Sequence, residues 1–309
     1  MANKISKKLT NIFNNCATIE KIFYISIVLT IIYFIIVGSV KNIETFQQST
    51  NFISKKGVEI YDDFYINIYD DLLFNKEKND FELKQIRKLA KLTKNSKILD
   101  IGSGTGHLVG ELNSLGFNCK GLDISNSMIK KSRLNYPKSS FIQGDALKSI
   151  SFQPISFTHI TCMYFTIYMI KNKRRFFQNC MMWLRPTGFL IIHLVDRDNF
   201  DPILPVADIL MSIDPQDYAK ERITTTNAAF DNHLYKAKFD ITKDAATFSE
   251  TFTNKTNGSI RKHTHELFME TQKQILSIAQ SVGFIMISQL EMKEVGYKNQ
   301  FIYILQKPE

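Results

Sequence analysis

Cysteine is scarce in this chain of 309 residues, and its four thiols, Cys16, Cys119, Cys162 and Cys180, form no CxxC pair. So few and so scattered, they exclude a disulfide scaffold; with six histidines lacking ligand spacing, they also exclude a zinc ribbon or finger, and no metal is expected. Free thiols inside apolar segments favour a reducing compartment for the folded part. Seven prolines and thirteen glycines are spread without any low-complexity tract, and no internal repeat is visible. The chain also lacks a Gly-Lys-Ser/Thr sequence, which excludes a Walker-type phosphate loop.

Apolar residues make up 44% of the chain, the proportion of a globular protein rather than a disordered one. Basic residues exceed acids by 39 to 30, a net charge of +9. That balance is compatible with nucleic acid or with an anionic membrane surface and selects neither. The front of the chain is distinctive. Residues 22–40, IFYISIVLTIIYFIIVGSV, carry no charge and lie between Lys21 and Lys41. As a helix this run reaches about 28 Å, close to the hydrocarbon thickness of a bilayer. It is apolar on every face, which argues against a core helix. It is also long for a signal peptide and lacks a small-x-small cleavage site. The expectation is a single-pass transmembrane helix over 22–40, after a basic tail (1–21) and before a linker (41–59), with the protein localised to a membrane. Lys4, Lys7, Lys8 and Lys21 precede the run and Lys41, Lys55 and Lys56 follow it, a weak positive-inside bias. A domain that needs cytosolic cofactors outweighs that bias, so the large domain is expected to face the cytosol.

From about residue 80 the chain alternates strand and helix. Phe81, Leu83, Ile86, Leu89 and Leu92 mark an amphipathic helix. Strands are expected at Lys97–Ile101, Asn118–Leu122, Ser140–Gln143, Phe157–Cys162 and Phe189–Leu194, with helices between them. A helix over 267–282 and strands near Phe284–Leu290 and Gln300–Leu305 close the chain. This order predicts a doubly wound, mainly parallel sheet. Residues 200–265 interrupt it. Pro202, Pro205 and Pro215 break their first part, and His233–Ile241 and Ala246–Phe252 alternate like strands. A small β-rich lid is expected there, inserted into a domain spanning 60–309.

In such a sheet, ligands bind outside the carboxyl ends of the strands. The first strand ends in Asp100-Ile101-Gly102-Ser103-Gly104-Thr105-Gly106. Glycines there allow a tight turn and close approach of a ligand to the backbone. The spacing is GxGxG after an acid, not the GxGxxG of a dinucleotide-binding dehydrogenase. The preceding carboxylate repels pyrophosphate and suits an amino-bearing ligand. Asp123 ends the second strand, where a carboxylate accepts ribose hydroxyls. Asp145, in Gly144-Asp145-Ala146 after the third, suits an adenine amino group. Three acids at three successive strand ends are expected to line one crevice.

DIGSGTG from Asp100, GLDIS with Asp123 and QGDA with Asp145 resemble the class I S-adenosylmethionine-dependent methyltransferases, most nearly the small-molecule and quinone-methylating kind, over roughly residues 60–200 and 266–306. The resemblance implies a Rossmann-like, seven-stranded α/β sheet with a terminal antiparallel hairpin, and S-adenosylmethionine as cofactor. It implies that Gly102, Gly104 and Gly106 admit the methionine half and Asp100 approaches its amino group. Asp123 takes the ribose hydroxyls and Asp145 the adenine amino group, with Ser103, Ile124 and Ala146 as further contacts. Tyr65 and Tyr69 resemble an aromatic segment that closes over the cofactor.

In-line methyl transfer mainly demands alignment, and a base only where the acceptor must lose a proton. Candidates at the fourth and fifth strand ends are Tyr164, Tyr168, His193, Asp196, Arg197 and Asp198, with His193 and Tyr164 ranked first. His107 reads as a cap or cofactor-side residue; His159, His233, His263 and His265 carry no sequence signal. Cys162-Met163-Tyr164-Phe165 stands where adenine-, cytosine- or glutamine-methylating enzymes place Asn/Asp-Pro-Pro-Tyr/Phe, and no Pro-Cys dipeptide occurs. A small, hydrophobic or lipid-like acceptor is therefore expected, with the membrane met through residues 22–40. The lid mixes its basic residues with acids, so no nucleic-acid groove is evident. The alternatives are an RNA or protein methyltransferase and a non-catalytic cofactor-binding membrane protein.

Overall fold

The computed structural model describes residues 51–207, 215–243 and 245–309, together with isolated positions between 18 and 33. The chain divides into two compact units, Met1–Thr50 and Asn51–Glu309. In the first, the Thr30 hydroxyl donates to the Ser26 carbonyl one helical turn back (2.8 Å). Most of the expected membrane span over residues 22–40 lies outside the described residues. A bilayer needs about 20 consecutive apolar residues in one helix. Among the described residues no helix is long and apolar enough to cross a membrane, and the longest, Lys76–Leu89, has 14 residues and is amphipathic. The expected anchor, membrane localisation and topology are corrected on that finding.

The second unit begins with β1 (Phe52–Lys56) and a 3₁₀ turn (Gly57–Ile60), then α1 (Asp63–Leu73), α2 (Lys76–Leu89), β2 (Lys97–Ile101), α3 (His107–Ser114), β3 (Asn118–Asp123), α4 (Asn126–Asn135) and β4 (Ser140–Gln143). It continues through β5 (Phe157–Cys162), α5 (Thr166–Met169), α6 (Lys173–Trp183) and β6 (Leu184–Val195). Four lid strands follow, β7 (Thr225–Ala229), β8 (His233–Ile241), β9 (Ala246–Asn254) and β10 (Ile260–Leu267). The chain closes with α7 (Gln272–Val282), β11 (Ile285–Met292) and β12 (Tyr297–Gln306).

The main sheet runs β11-β12-β6-β5-β2-β3-β4. Its five strands from β6 to β4 are parallel, and the hairpin β11–β12 joins antiparallel at β6. The order reverses between β2 and β5, where chain order places the crevice. Central strands are buried on both faces: in β2 every residue after Lys97 is buried, as a parallel sheet covered by helices requires. Helix starts follow side-chain chemistry. Asp62 caps α1, Asn75 caps α2, Ser125 caps α4 and Asn172 caps α6, each accepting a backbone N–H three residues on. Thr271 and Gln274 form a capping box at the start of α7. That cap sets the helix to begin at 272 rather than 267, and Leu267 ends β10 instead.

The lid is a second sheet, β1-β10-β9-β8-β7. It is antiparallel except at its edge, where β1 pairs parallel with β10. The expected linker over 41–59 thus supplies a strand, and the compact unit starts at Asn51. On β8, Tyr235, Ala237 and Phe239 point inward, as do Ala246, Phe248, Glu250 and Phe252 on β9. The aromatic members of this face continue the core that surrounds Trp183, Leu190 and Ile192.

Candidate active site

The loop after β2 is folded back by two bonds to the neighbouring strand. The N–H groups of Gly102 and Ser103 both donate to the Leu122 carbonyl, at 2.8 and 3.1 Å. Gly102, Gly104 and Gly106 all have positive φ, a backbone that L side chains adopt at a cost. Their reasons differ. A Cβ at Gly102 would lie 2.4 Å from the Thr166 side chain, and one at Gly106 2.7 Å from the Phe141 ring, so both are packing requirements. At Gly104 the nearest atom would be the Tyr69 ring at 3.8 Å. Gly104 therefore leaves an open cradle on the side where a ligand can lie.

That cradle belongs to a cavity of about 530 Å³ lined by Asp100, Gly102, Ser103, Gly104, Asp123, Ile124, Asp145 and Ala146 among others. Gly106 is not in its wall, since it packs behind the loop. Asp100 is buried, and its carboxylate accepts a hydrogen bond from the Thr161 hydroxyl (2.7 Å). Burial, with the nearby charges of Asp123 and Glu82, outweighs that bond and raises its pKa to about 7. Asp123 accepts the N–H of Gly104 at 2.9 Å on one oxygen and that of Ser125 at 2.8 Å on the other. Burial pushes its pKa up, and these two bonds oppose the rise. Asp145 is half-buried and accepts the Leu147 N–H (2.8 Å).

The first two helices close the cavity from the side. Tyr69 and Asp70 come from α1; the Asp70 carboxylate accepts from the Thr105 hydroxyl (2.6 Å) and pairs with His107 Nε2 (3.2 Å). His107 is also stacked on Phe74 (3.9 Å) and bonded to the Tyr136 hydroxyl (2.8 Å). It stands in the cavity wall, tied on three sides. Aromatic rings line much of the cavity, among them Tyr61 after the 3₁₀ turn, Phe165 and Phe200 from loops, and Phe239 and Phe248 from the lid.

Of the six base candidates read from the strand ends, Tyr164 lines the cavity. Its φ is +51°, Lys78 Nζ sits 4.8 Å over its ring, and burial raises its phenol pKa well above the ordinary value. His193 is fully buried behind it, the two rings stacked at 6.1 Å and 12°. Burial, and then the charge of Lys78, push the His193 imidazole down to about 3, so it stays neutral and out of the cavity wall. The Tyr168 hydroxyl is spent on the Val195 N–H (2.8 Å). Asp196 accepts from Asp198 and Asn199 within its own turn. The Arg197 guanidinium is buried against backbone carbonyls, with Asp198 beside it.

Sequence reading missed a cluster in the lid. Fully buried Glu250 accepts the hydroxyls of Tyr65 (3.0 Å) and Tyr235 (2.7 Å) on one oxygen. On the other it meets His265 Nε2 at 2.7 Å and His263 Nδ1 at 3.4 Å. Burial pushes the Glu250 pKa up, but the hydrogen bonds from His263 and His265 and the further donors outweigh it and hold the carboxyl at about 2. The two histidines and Glu250 bring their donor atoms within 4.8 Å of one another, a metal-like spacing. However, Arg261 donates to His263 Nε2 (2.7 Å), which leaves the hydrogen on Nδ1 and makes that atom a donor to Glu250 rather than a ligand. The signal was alternation: Glu250 takes an inward position among Ala246, Phe248 and Phe252 of β9, and His263 and His265 alternate inward on β10.

Residues 99–192 match the family model described as methyltransferase domain. The chain carries a class I S-adenosylmethionine-dependent methyltransferase domain. S-adenosylmethionine is its cofactor. A phosphoethanolamine N-methyltransferase of Plasmodium falciparum (isolate 3D7) is 29% identical over 125 residues, 38% of this chain and 47% of that protein. The match thus spans about half the length of that curated relative. Two solved structures share the fold at 15% identity. An S-adenosylmethionine-dependent methyltransferase from Clostridium acetobutylicum has a TM-score of 0.60, over 80% of this chain and 98% of its own. An amino pentose methyltransferase from Micromonospora echinaspora, solved with S-adenosylmethionine bound, has a TM-score of 0.56 over the same shares. In the methyltransferase domain, the open cradle at Gly104 and the carboxylates of Asp100 and Asp123 in one wall fit a ligand with a cationic amino group and vicinal hydroxyls.

Proposed function

We propose that this methyltransferase domain acts on a small amine-bearing acceptor held between the strand-end carboxylates and the aromatic face of the lid. In this reading Asp100 meets the cofactor's amino group, Gly104 its methionine chain, Asp123 its ribose hydroxyls and Asp145 its adenine amino group. The bound cofactor supplies an activated methyl group on a sulfonium. The chain's residues align the acceptor with it and exclude water. The observation that carries the proposal is that one continuous cavity reaches from Asp100, Asp123 and Asp145 to Phe239 and Phe248 of the lid. Donor and acceptor then share a chamber with an aromatic wall, suited to a small molecule.

An amine fits this lining for two reasons. Aromatic faces such as those of Tyr61 and Tyr69 attract cations, and acids line the same cavity at Asp70, Asp100, Asp123, Asp145 and Asp201. The relatives named above also point this way, one acting on phosphoethanolamine nitrogen and one on an amino pentose. The test is calorimetric titration of the full chain with S-adenosylmethionine and with NADH, then mass spectrometry of methyl transfer to small amines, small alcohols, RNA and protein. Binding of S-adenosylmethionine alone, with methylated small amines, is the expected result. Binding of NADH, or transfer confined to RNA or protein, would overturn the proposal.

A further inference from the structure

We propose that His265, held by Glu250, is the base that takes the proton from the acceptor's amine. The inference rests on the small-amine reading above and adds the residue that makes the amine nucleophilic.

The geometry comes from three strands and a turn. His265 stands on β10 and its ring lines the cavity. It packs against Phe248 (5.2 Å) and Tyr61 (6.0 Å), and Tyr61 in turn packs against Tyr69 (6.5 Å). Tyr69 is the residue nearest to the open side of Gly104. His265 is thus linked through two aromatic rings to the glycine cradle, on the lid side of the same chamber. Its Nε2 is fixed by the Glu250 carboxylate at 2.7 Å. Because Glu250 is an acceptor only, Nε2 carries the hydrogen, and Nδ1 keeps its lone pair. Nδ1 has no partner among the described residues. A carboxylate that sets the tautomer and then stabilises the imidazolium is the arrangement by which histidine bases work in unrelated folds.

Among the described residues, no competing charge faces the ring. Facing the ring are Glu250 from β9, His263 from the same strand, and the phenols of Tyr61 and Tyr65 from the segment before and within α1. Burial pushes both phenols well above their ordinary range, so they stay neutral. Tyr235 of β8 and Arg261 reach His265 only through Glu250 and His263. Glu250 is therefore the carboxylate that fixes the ring of His265, and it acts as a positioning residue.

An amine reaches the cavity mainly as its ammonium ion and has no free lone pair in that form. One proton passes to Nδ1 of His265, leaving a neutral amine and an imidazolium beside the Glu250 carboxylate. The nitrogen lone pair then forms the bond to the methyl carbon, and the electrons of the breaking carbon–sulfur bond stay on sulfur. The product is a methylated ammonium, and the proton on His265 leaves to solvent before the next turnover.

The test uses the full chain with His265→Ala and Glu250→Gln. Nitrogen-15 spectra of wild type at neutral pH should show Nδ1 of His265 unprotonated and Nε2 protonated. In Glu250→Gln the preference for the Nε2-protonated tautomer should weaken, since an amide can turn either its oxygen or its NH2 to the ring. With ethanolamine and phosphoethanolamine as probe amines, His265→Ala should lower kcat by about 100-fold or more and regain at least about tenfold of that with added imidazole. Its affinity for S-adenosylmethionine should stay within about twofold of wild type. A His265 protonated at Nδ1, a tautomer preference unchanged in Glu250→Gln, or undiminished turnover in His265→Ala would overturn the inference. Wild type that fails to bind S-adenosylmethionine would instead overturn the functional proposal itself. The spectra need no acceptor, so they decide the tautomer even if neither probe amine is methylated.

Discussion

The carboxylate of Asp123, at the end of β3, accepts the N–H of Gly104 in the loop after β2 at 2.9 Å. One side chain therefore both shapes the open cradle and faces the cavity. Asp123→Ala removes the acceptor for Gly104 and Ser125 as well as the group proposed to hold two ribose hydroxyls. Hydrogen bonds to a charged group contribute about 1.5–3 kcal/mol each, so the affinity for S-adenosylmethionine should fall by at least about tenfold. Asp123→Asn keeps one oxygen acceptor and should lose less. Isothermal calorimetry measures both, and an affinity in Asp123→Ala equal to wild type would remove this residue from the cofactor site.

Asp100 makes cofactor binding depend on pH. Its pKa is about 7 in the folded protein and about 3.9 in an unfolded chain. Between those values the folded state holds a proton that the unfolded state has lost. The stability this group contributes is therefore full below about pH 4 and is lost as pH rises to about 7. A cationic amino group beside Asp100 favours the charged form. S-adenosylmethionine should thus bind more tightly as pH rises from 6 to 8, and binding at pH 6 should release a proton. Titrations in two buffers of different ionisation enthalpy count that proton. Asp100→Asn should bind more weakly and lose the pH dependence; equal wild-type affinity at pH 6 and 8 would contradict the assignment.

Much of the main sheet could be read from the sequence because its signals are local. β2 runs into a glycine loop, β3 ends in an acid and β5 is mostly buried, as parallel strands covered on both faces require. The lid was legible from the alternation of His233–Ile241, which forms β8, and Ala246–Phe252, which the structure extends to Asn254 as β9. Other features depend on distant partners. β1 carries almost no buried residue, so no periodicity marks it, and it forms only because β10 offers an open edge. The register of Glu250 opposite His263, and its contact with Tyr65 185 residues earlier, leave no trace in any sequence window. The aim of His193 was hidden for a related reason. On a strand buried on both faces, a histidine near the end reads the same whether it meets the cavity or the packing behind Tyr164.

A buried cation helps to fasten the lid to the main sheet, and that attachment can be tested apart from the chemistry. Arg197, just after β6, is 5% exposed. Its guanidinium donates to the carbonyls of Thr242 and Lys243, which follow β8, and to that of Met269 before α7 (2.5 Å). The Arg197 carbonyl accepts from Arg222, which precedes β7 (3.0 Å). Three carbonyls lose their donor in Arg197→Ala, and a buried group left unsatisfied costs about 1–3 kcal/mol. The melting temperature should fall by about 6 °C or more. Arg197→Lys should recover only part of this, because an ammonium at the end of a flexible stem cannot reproduce the planar fork. Asp100 and Asp123 stand on other strands and Asp145 just after one, so S-adenosylmethionine affinity measured well below the melt should stay within about twofold of wild type. Acceptor turnover should drop, since Phe239 and Phe248 are carried by the sheet that Arg197 holds down. Scanning calorimetry and single-turnover assays separate the two effects, and an unchanged melt in Arg197→Ala would show that the lid does not depend on this cation.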